Sequence, residues 1–285
     1  MRLVYYAIGG GLGHLVRARA FLHTLGLTAE CAAVVTASEF AHDTRVTAGM
    51  PILQAPIALQ NDAIEFRRWL LQEIQRLRAD CLCVDAFPAG ILGELCDLPV
   101  PLAFWHVARL LRWTEYAPLI HGTPPRFARA WRLEELGAEQ QRFLDARCDR
   151  IGELELRDAP GAEPVQANAP FWLVVHSGPE SEVAELIAFA AEVRTAEASD
   201  AALWVASPQA PAALPARSRV LDVFPAEAYF AAAQRIFSAA GFNIMRQTAP
   251  YRAKHTVLPM PRHFDDQFER ARRAFAHRQG QQGGV

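Results

Sequence analysis

The chain has 285 residues, enough for two domains of ordinary size, and 51% of them are hydrophobic against 21% charged. That is a globular balance able to bury real cores. A formal net charge of −2 points to neither nucleic acid nor a general anionic surface as partner. The first residues lack the basic lead, long apolar core and small-residue cleavage site of a secretion signal, and no charge-free stretch reaches transmembrane length. The five cysteines, Cys31, Cys81, Cys83, Cys96 and Cys148, are an odd number without metal spacing. They read as buried free thiols of a reducing cytoplasm.

Leu3 to Ile8 is a continuous apolar run that predicts a central parallel strand. It leads into Gly9-Gly10-Gly11-Leu12-Gly13-His14, and Leu15 to Leu25 reads as a helix carrying Arg17 and Arg19. Strand, glycine loop and helix have the form of a phosphate-binding or active-site turn. The spacing is not the dinucleotide fingerprint, whose third glycine would fall on His14, and it lacks the Gly-Lys-Ser/Thr of a P-loop. Taken alone, the loop reads better as a glycine-rich turn with a solvated histidine. Cys31 to Thr36 and Met50 to Ala55 predict strands, and Asp62 to Arg78 an amphipathic helix with Trp69, Leu70 and Ile74 on its apolar side. Cys81 to Val84 predicts a buried strand that delivers Asp85 to its carboxyl end. Val100 to Trp105 predicts another, delivering His106 and Arg109. In an open α/β sheet ligands bind beyond the carboxyl ends of the strands, so all three are site candidates. Asp85 also fits a helix cap. Trp105, Trp113 and Tyr116 with Leu110 and Leu111 fit either a greasy acceptor groove or plain core. Glu134 to Cys148 reads as a helix and Arg150 to Leu156 as a strand.

Residues 158–170 are rich in Pro, Ala and Gly and predict a linker between an N-terminal domain, 1–157, and a C-terminal domain, 171–285. The second half restarts with a strand, Phe171 to Val175, then His176-Ser177-Gly178-Pro179 and a helix from Ser181 to Val193. Strands at Ala201 to Ala206 and Val220-Leu221 follow, then Phe224-Pro225, an alanine-rich helix to Ala233 and a strand from Arg235 to Ser238. Gly241 comes next, with Asn243 in the first turn of a helix. Glycine there lets the backbone approach a ligand, and the first-turn N–H groups favour an anion such as a diphosphate. A strand from His255 to Leu258 stops at Pro259, and Asp265-Asp266-Gln267 opens a last helix, Phe264 to His277, with a Gln/Gly tail at 279–284. Capping of that helix is the plain alternative for the two aspartates, and a surface amide for Gln267. Strand–helix alternation in both halves predicts an α/β protein of two doubly wound domains.

Gly241-Phe242-Asn243, followed later by Asp266-Gln267, resembles the donor half of the two-domain nucleotide-sugar glycosyltransferases of GT-B type. The nearest likeness is to the UDP-glycosyltransferase group and the bacterial lipid-intermediate N-acetylglucosaminyltransferase. The family pattern is a small residue, Gly, an aromatic, Asn, a Glu four residues after the Asn, and later an Asp-Gln pair. The Glu position holds Gln247 here. An amide still bonds a ribose hydroxyl but loses the charge-assisted bond. The glycine loop ending in His14 resembles the family's N-domain loop, where the His lies beside the acceptor hydroxyl.

The resemblance implies two Rossmann-like domains facing a cleft, with the C-terminal helix packing back toward the N-terminal domain. It implies inverting hexosyl transfer from a UDP-sugar, without metal or further cofactor. In that frame His14 is the base and Asp85 orients it, in the loop shaped by Gly11 and Gly13. Ser177, Gly178, Gly241, Phe242 and Asn243 hold the donor's diphosphate, with Arg246 as a cationic helper. Phe224 brackets the nucleobase, Gln247 takes the ribose, Asp266 and Gln267 grip the sugar hydroxyls, and His106 and Arg109 lie on the acceptor side. The partners implied are a nucleotide sugar and a small-molecule, glycan or lipid-linked acceptor, with no nucleic acid. The setting is cytoplasmic, with peripheral membrane contact if the acceptor is lipid-linked. Gln247 also suits a different reading, a catalytically silent nucleotide-sugar-binding subunit or partner protein of the same fold. A sugar-nucleotide epimerase would need further carboxylates and histidines that the sequence does not place.

Overall fold

The computed structural model describes residues 1–161 and 163–281, so the end of the Gln/Gly tail lies outside the described residues. The chain forms two compact units, Met1–Ala159 with His263–Asp265, and Pro160–Arg262 with Asp266–Val285.

The first unit contains strands β1 (Leu3–Ala7), β2 (Ala32–Thr36), β3 (Ile52–Gln54), β4 (Cys81–Asp85), β5 (Ala103–Ala108), β6 (Arg129–Arg132) and β7 (Ile151–Glu153). Its helices are α1 (Leu12–Thr24), α2 (Thr44–Thr47), α3 (Ala63–Leu77), α4 (Trp113–Tyr116) and α5 (Ala138–Arg147). The strands form one parallel sheet in the order β3-β2-β1-β4-β5-β6-β7. The order reverses between β1 and β4, the switch point where doubly wound sheets bind ligands. β1, β2 and β4 are buried along their whole length, because helices cover both faces of a parallel sheet. On one face Tyr5 meets Phe21 of α1, ring centres 5.2 Å apart. On the other, Val4, Tyr6, Leu82 and Val84 pack with Phe66, Leu70 and Ile74 of α3. Asp62 starts α3 by accepting the N–H groups of Ile64 and Glu65.

The second unit contains β8 (Phe171–Val175), β9 (Ala202–Ala206), β10 (Ser218–Leu221), β11 (Arg235–Ser238) and β12 (His255–Val257), with α6 (Glu180–Ala196), α7 (Phe242–Gln247) and α8 (Gln267–Gln281). Its parallel sheet runs β10-β9-β8-β11-β12, so the switch point falls between β8 and β11. Val183, Leu186, Ile187 and Ala190 of α6 pack against Trp172, Val174 and Leu203. The expected two doubly wound α/β halves are present. No helix among the described residues is long and apolar enough to cross a membrane.

Several elements differ from their sequence patterns for identifiable reasons. The strand expected at Val100 to Trp105 runs over Ala103–Ala108 instead. Pro99 and Pro101 cannot donate to a ladder and delay its start. The alanine-rich helix expected up to Ala233 is a 3₁₀ turn at Ala226–Tyr229. The last helix starts at Gln267, and Phe264 packs on Phe87 and Tyr116, ring centres 5.6 and 5.8 Å away. The Phe264 carbonyl accepts the Arg112 N–H at 2.8 Å, so His263–Asp265 runs with the first unit. The helix that follows packs Ala271 against Ala240 and Met245 of the second.

Tyr116 fixes the loop after β4. Its buried hydroxyl donates to the Gly90 carbonyl and accepts the Ala89 N–H, both at 2.8 Å. Tyr116→Phe keeps the ring and strands both backbone groups, at an expected cost of about 1–3 kcal/mol in urea unfolding. An unchanged midpoint would contradict this anchoring.

Candidate functional site

The turn between β1 and α1 and the end of β4 meet at the switch point of the first sheet. Gly11 is the extended residue before α1 (φ −91°, ψ 167°), so Gly13 and His14 lie in the first turn of that helix. Gly9 has a steric role. A Cβ there would stand 2.3 Å from both Cδ2 and Nε2 of His14, so only glycine lets the imidazole lie against the chain.

His14 Nδ1 is 2.7 Å from Asp85 Oδ2, at the last residue of β4. Arg17, one helical turn beyond His14, donates Nε to Oδ1 and Nη2 to Oδ2 of the same carboxylate, both at 2.6 Å. The Tyr5 hydroxyl donates to Oδ1 at 3.0 Å. A carboxylate receiving donors on both oxygens is held ionised. Burial alone would raise Asp85, but the Arg17 charge and the bonds from His14 and Arg17 keep it well below the usual carboxylate range. Burial is the largest influence holding His14 below its ordinary value; Asp85 pulls it up again, and Arg17 and Arg109 push it down. His14 is therefore neutral near pH 7, and donating Nδ1–H to Asp85 leaves the lone pair on Nε2. Its side chain is 13% exposed against 0% for Asp85, so the imidazole is the outlet of the group. Phe87 stacks on it at 6.0 Å. An imidazole held this way can take a proton from a hydroxyl.

Arg109 ion-pairs with Asp265 and lies 5.9 Å from the centre of the Phe87 ring, beside this group. His106 does not join it, which corrects its expected place at a strand end. The later start of β5 puts His106 inside the strand, opposite Val84 in register. Paired residues share a face, and Val84 points away from Asp85's side by alternation. His106 is 1% exposed, stacks on Phe127 at 5.0 Å and places Nδ1 2.9 Å from the Val84 carbonyl. It is a core histidine, its pKa lowered to about 4 by burial. Arg17 and Tyr5 are the residues that the strand-end rule missed. The available signal was a helix whose inward positions Leu15, Ala18, Phe21 and Leu22 also include an arginine, which must find a carboxylate when buried.

In the second unit Ser177 and Gly178 link β8 to α6, and Gly241 precedes α7, so both turns flank the β8/β11 switch point. The space beside Gly178 is filled from within: a Cβ there would meet His176 Nε2 at 2.3 Å and Glu182 Oε2 at 2.6 Å. His176 bonds Glu182 at 2.7 Å, and Arg262 donates twice to the same carboxylate at 2.5 Å. Beside Gly241 the nearest atom to a Cβ would be Ile244 Cγ2 at 3.9 Å, leaving the backbone approachable. Phe242 is buried, while Asn243, Arg246 and Gln247 are half-buried along α7. Behind α7, buried His255 meets Ser238 Oγ at 2.8 Å and Thr248 Oγ1 at 2.9 Å, tying the helix end to β11 and β12. Phe224 is half-buried after β10.

The three polar residues before and at the start of α8 separate. Asp265 pairs with Arg109, and Asp266 Oδ1 accepts the Glu269 N–H at 3.0 Å as a helix cap. Gln267 is 4% exposed, and its Oε1 accepts the N–H groups of Ala240 at 3.1 Å and Met260 at 3.0 Å. Both lone pairs of that oxygen serve the backbone, which leaves only the Nε2–H donors of the side chain for the sugar hydroxyl expected there. Among the described residues no group of three or more His, Cys, Asp or Glu side chains could hold a metal ion.

No family model matches the sequence, and no curated protein matches it. Solved structures do match. The glycosyltransferase SnogD from Streptomyces nogalater is 17% identical, with 91% of this chain and 81% of that one covered at a TM-score of 0.56. The spinosyn rhamnosyltransferase SpnG is 16% identical, with 97% and 84% covered at 0.65. SsfS6, a glycosyltransferase of Streptomyces sp. SF2575, is 13% identical, with 97% and 86% covered at 0.60. The chain therefore has the two-domain GT-B fold.

Two outcomes follow from this geometry. Gly9→Ala displaces the imidazole and should shift the His14 ring signals in NMR, whereas Gly10→Ala, with nothing within 4 Å of its new methyl, should not. Equal spectra for the two variants would contradict the steric role of Gly9. Between pH 7 and 4 the unfolded chain binds a proton at His106 that the folded chain refuses, so stability falls as pH falls. A shift from 6.5 to about 4, at 1.36 kcal/mol per unit, is about 3 kcal/mol. His106→Phe should lose about that much less stability on acidification, measured by urea unfolding at both pH values, and an equal loss in both proteins would contradict it.

Proposed function

We propose that the protein transfers a sugar from a nucleotide-diphosphate donor to an acceptor hydroxyl, with His14 as general base and Asp85 as the carboxylate that orients it. The observation carrying this reading is the buried Asp85 carboxylate 2.7 Å from His14 Nδ1 at the switch point of a GT-B fold. His14 Nε2 takes the acceptor's proton as the acceptor oxygen attacks the anomeric carbon. The bond from that carbon to the diphosphate breaks, and the diphosphate leaves with the electron pair. One displacement inverts the anomeric centre.

The leaving diphosphate is received by the N–H groups at Gly241 and Phe242, by Ser177, Gly178 and Asn243, and by Arg246, without a metal. Gln247 bonds the ribose, Phe224 borders the nucleobase, and the Asp266 carboxylate takes a sugar hydroxyl. Arg109 lies on the acceptor side, and Gly11 and Gly13 keep the β1–α1 turn open to the acceptor. The resemblance favours a UDP-sugar. SpnG is described in complex with thymidine diphosphate and with spinosyn aglycone, which adds a TDP-sugar and a small-molecule acceptor to the reading. The internal use of the Gln267 oxygen favours a second reading, a nucleotide-sugar-binding subunit without turnover.

Calorimetric titration with UDP, TDP and GDP, repeated on Asn243→Ala, tests the donor site. Saturable binding of UDP or TDP is expected, weakened about tenfold by the substitution, which corresponds to about 1.4 kcal/mol. No binding of any of the three would overturn both readings of the donor site.

A further inference from the structure

Arg17 is 3% exposed on the inward face of α1, where an unpaired guanidinium would be very costly. Its fork takes both oxygens of Asp85 at 2.6 Å, and its Nη2 also stands 3.2 Å from His14 Nδ1. The charged groups around His14 come from every element packed on it: Arg17 from α1, Asp85 from β4, Arg109 after β5, and Asp265 beside Arg109. Tyr5 from β1 stays neutral, since burial raises its pKa well above the ordinary value. Among the described residues two guanidiniums thus face two carboxylates, a set that is neutral with His14 uncharged. A His–Asp pair without Arg17 would instead give the imidazolium a full carboxylate charge.

We propose that Arg17 is a positioning residue: by occupying both oxygens of Asp85 it fixes His14 as the neutral, Nδ1-protonated imidazole with its lone pair on Nε2. The inference rests on the reading of His14 as the base. It adds that the base stays unprotonated below the ordinary histidine range and gains its proton only from the acceptor. An arginine that merely filled space on α1 would have no such effect on its neighbour.

The test is the titration of His14 by nitrogen-detected NMR on the ring-labelled protein, without donor or acceptor, so it stands or falls apart from transferase activity. In the wild type, the Nδ1–H tautomer at neutral pH and a midpoint below 6.5 are expected. Arg17→Gln removes the charge and should raise that midpoint by at least about one unit, a tenfold gain in proton affinity. Arg17→Lys keeps the charge without the fork and should leave the midpoint low while mixing the two tautomers. Equal midpoints in Arg17→Gln and the wild type, or an Nε2–H tautomer in the wild type, would overturn the proposal. If Arg17→Gln does not fold, the wild-type tautomer and the Arg17→Lys midpoint decide it.

Discussion

A single buried carboxylate sets the terms for the first unit. Asp85 is 1% exposed, and it stays ionised because donors reach it from two other elements, Tyr5 on β1 and His14 with Arg17 on α1. Removing one partner of such a buried charge typically costs about 3–5 kcal/mol. The three donors converge only if β4 lies directly beside β1 and α1 starts at once behind β1. That is the order of the sheet and the place of the glycine turn. Gly9 belongs to the same constraint, since any side chain there would displace the imidazole. Strand order, helix start and glycine loop thus serve one electrostatic group, and that group is the proposed chemical centre.

The second unit repeats the residue types with a different emphasis. His176, Glu182 and Arg262 form another imidazole, carboxylate and guanidinium set, packed on Gly178 as His14 packs on Gly9. There the carboxylate sits on α6 rather than at a strand end and is 18% exposed. Its guanidinium comes from Arg262, the residue at which the chain leaves the unit, so the set secures that exit. The backbone beside Gly241, at the other side of the same switch point, is the more open of the two turns.

Much of this was legible in the sequence because apolar runs and glycine turns are local signals. Leu3 to Ile8 and Phe171 to Val175 fell on β1 and β8, and the ends of β1 and β4 yielded His14 and Asp85. The losses came from non-local effects. Two prolines moved β5 by three residues, and alternation then turned His106 into the core. The Gln267 side chain, polar and next to two aspartates, was recruited by backbone groups of Ala240 and Met260, far apart in sequence. The affinity of Phe264 for Phe87 and Tyr116 was likewise invisible without the fold. Arg17 was visible as a charge on an apolar helix, but its partner lay 68 residues away.

The measurement that bears most directly on the account is release of nucleoside diphosphate from UDP- and TDP-sugars offered with a panel of small-molecule hydroxyl acceptors, for the wild type and His14→Ala. The account requires acceptor-dependent release by the wild type and at least about a hundredfold loss in the variant, the usual scale of a general base, with nucleotide binding retained. Release by His14→Ala at the wild-type rate, or none by the wild type, would contradict it.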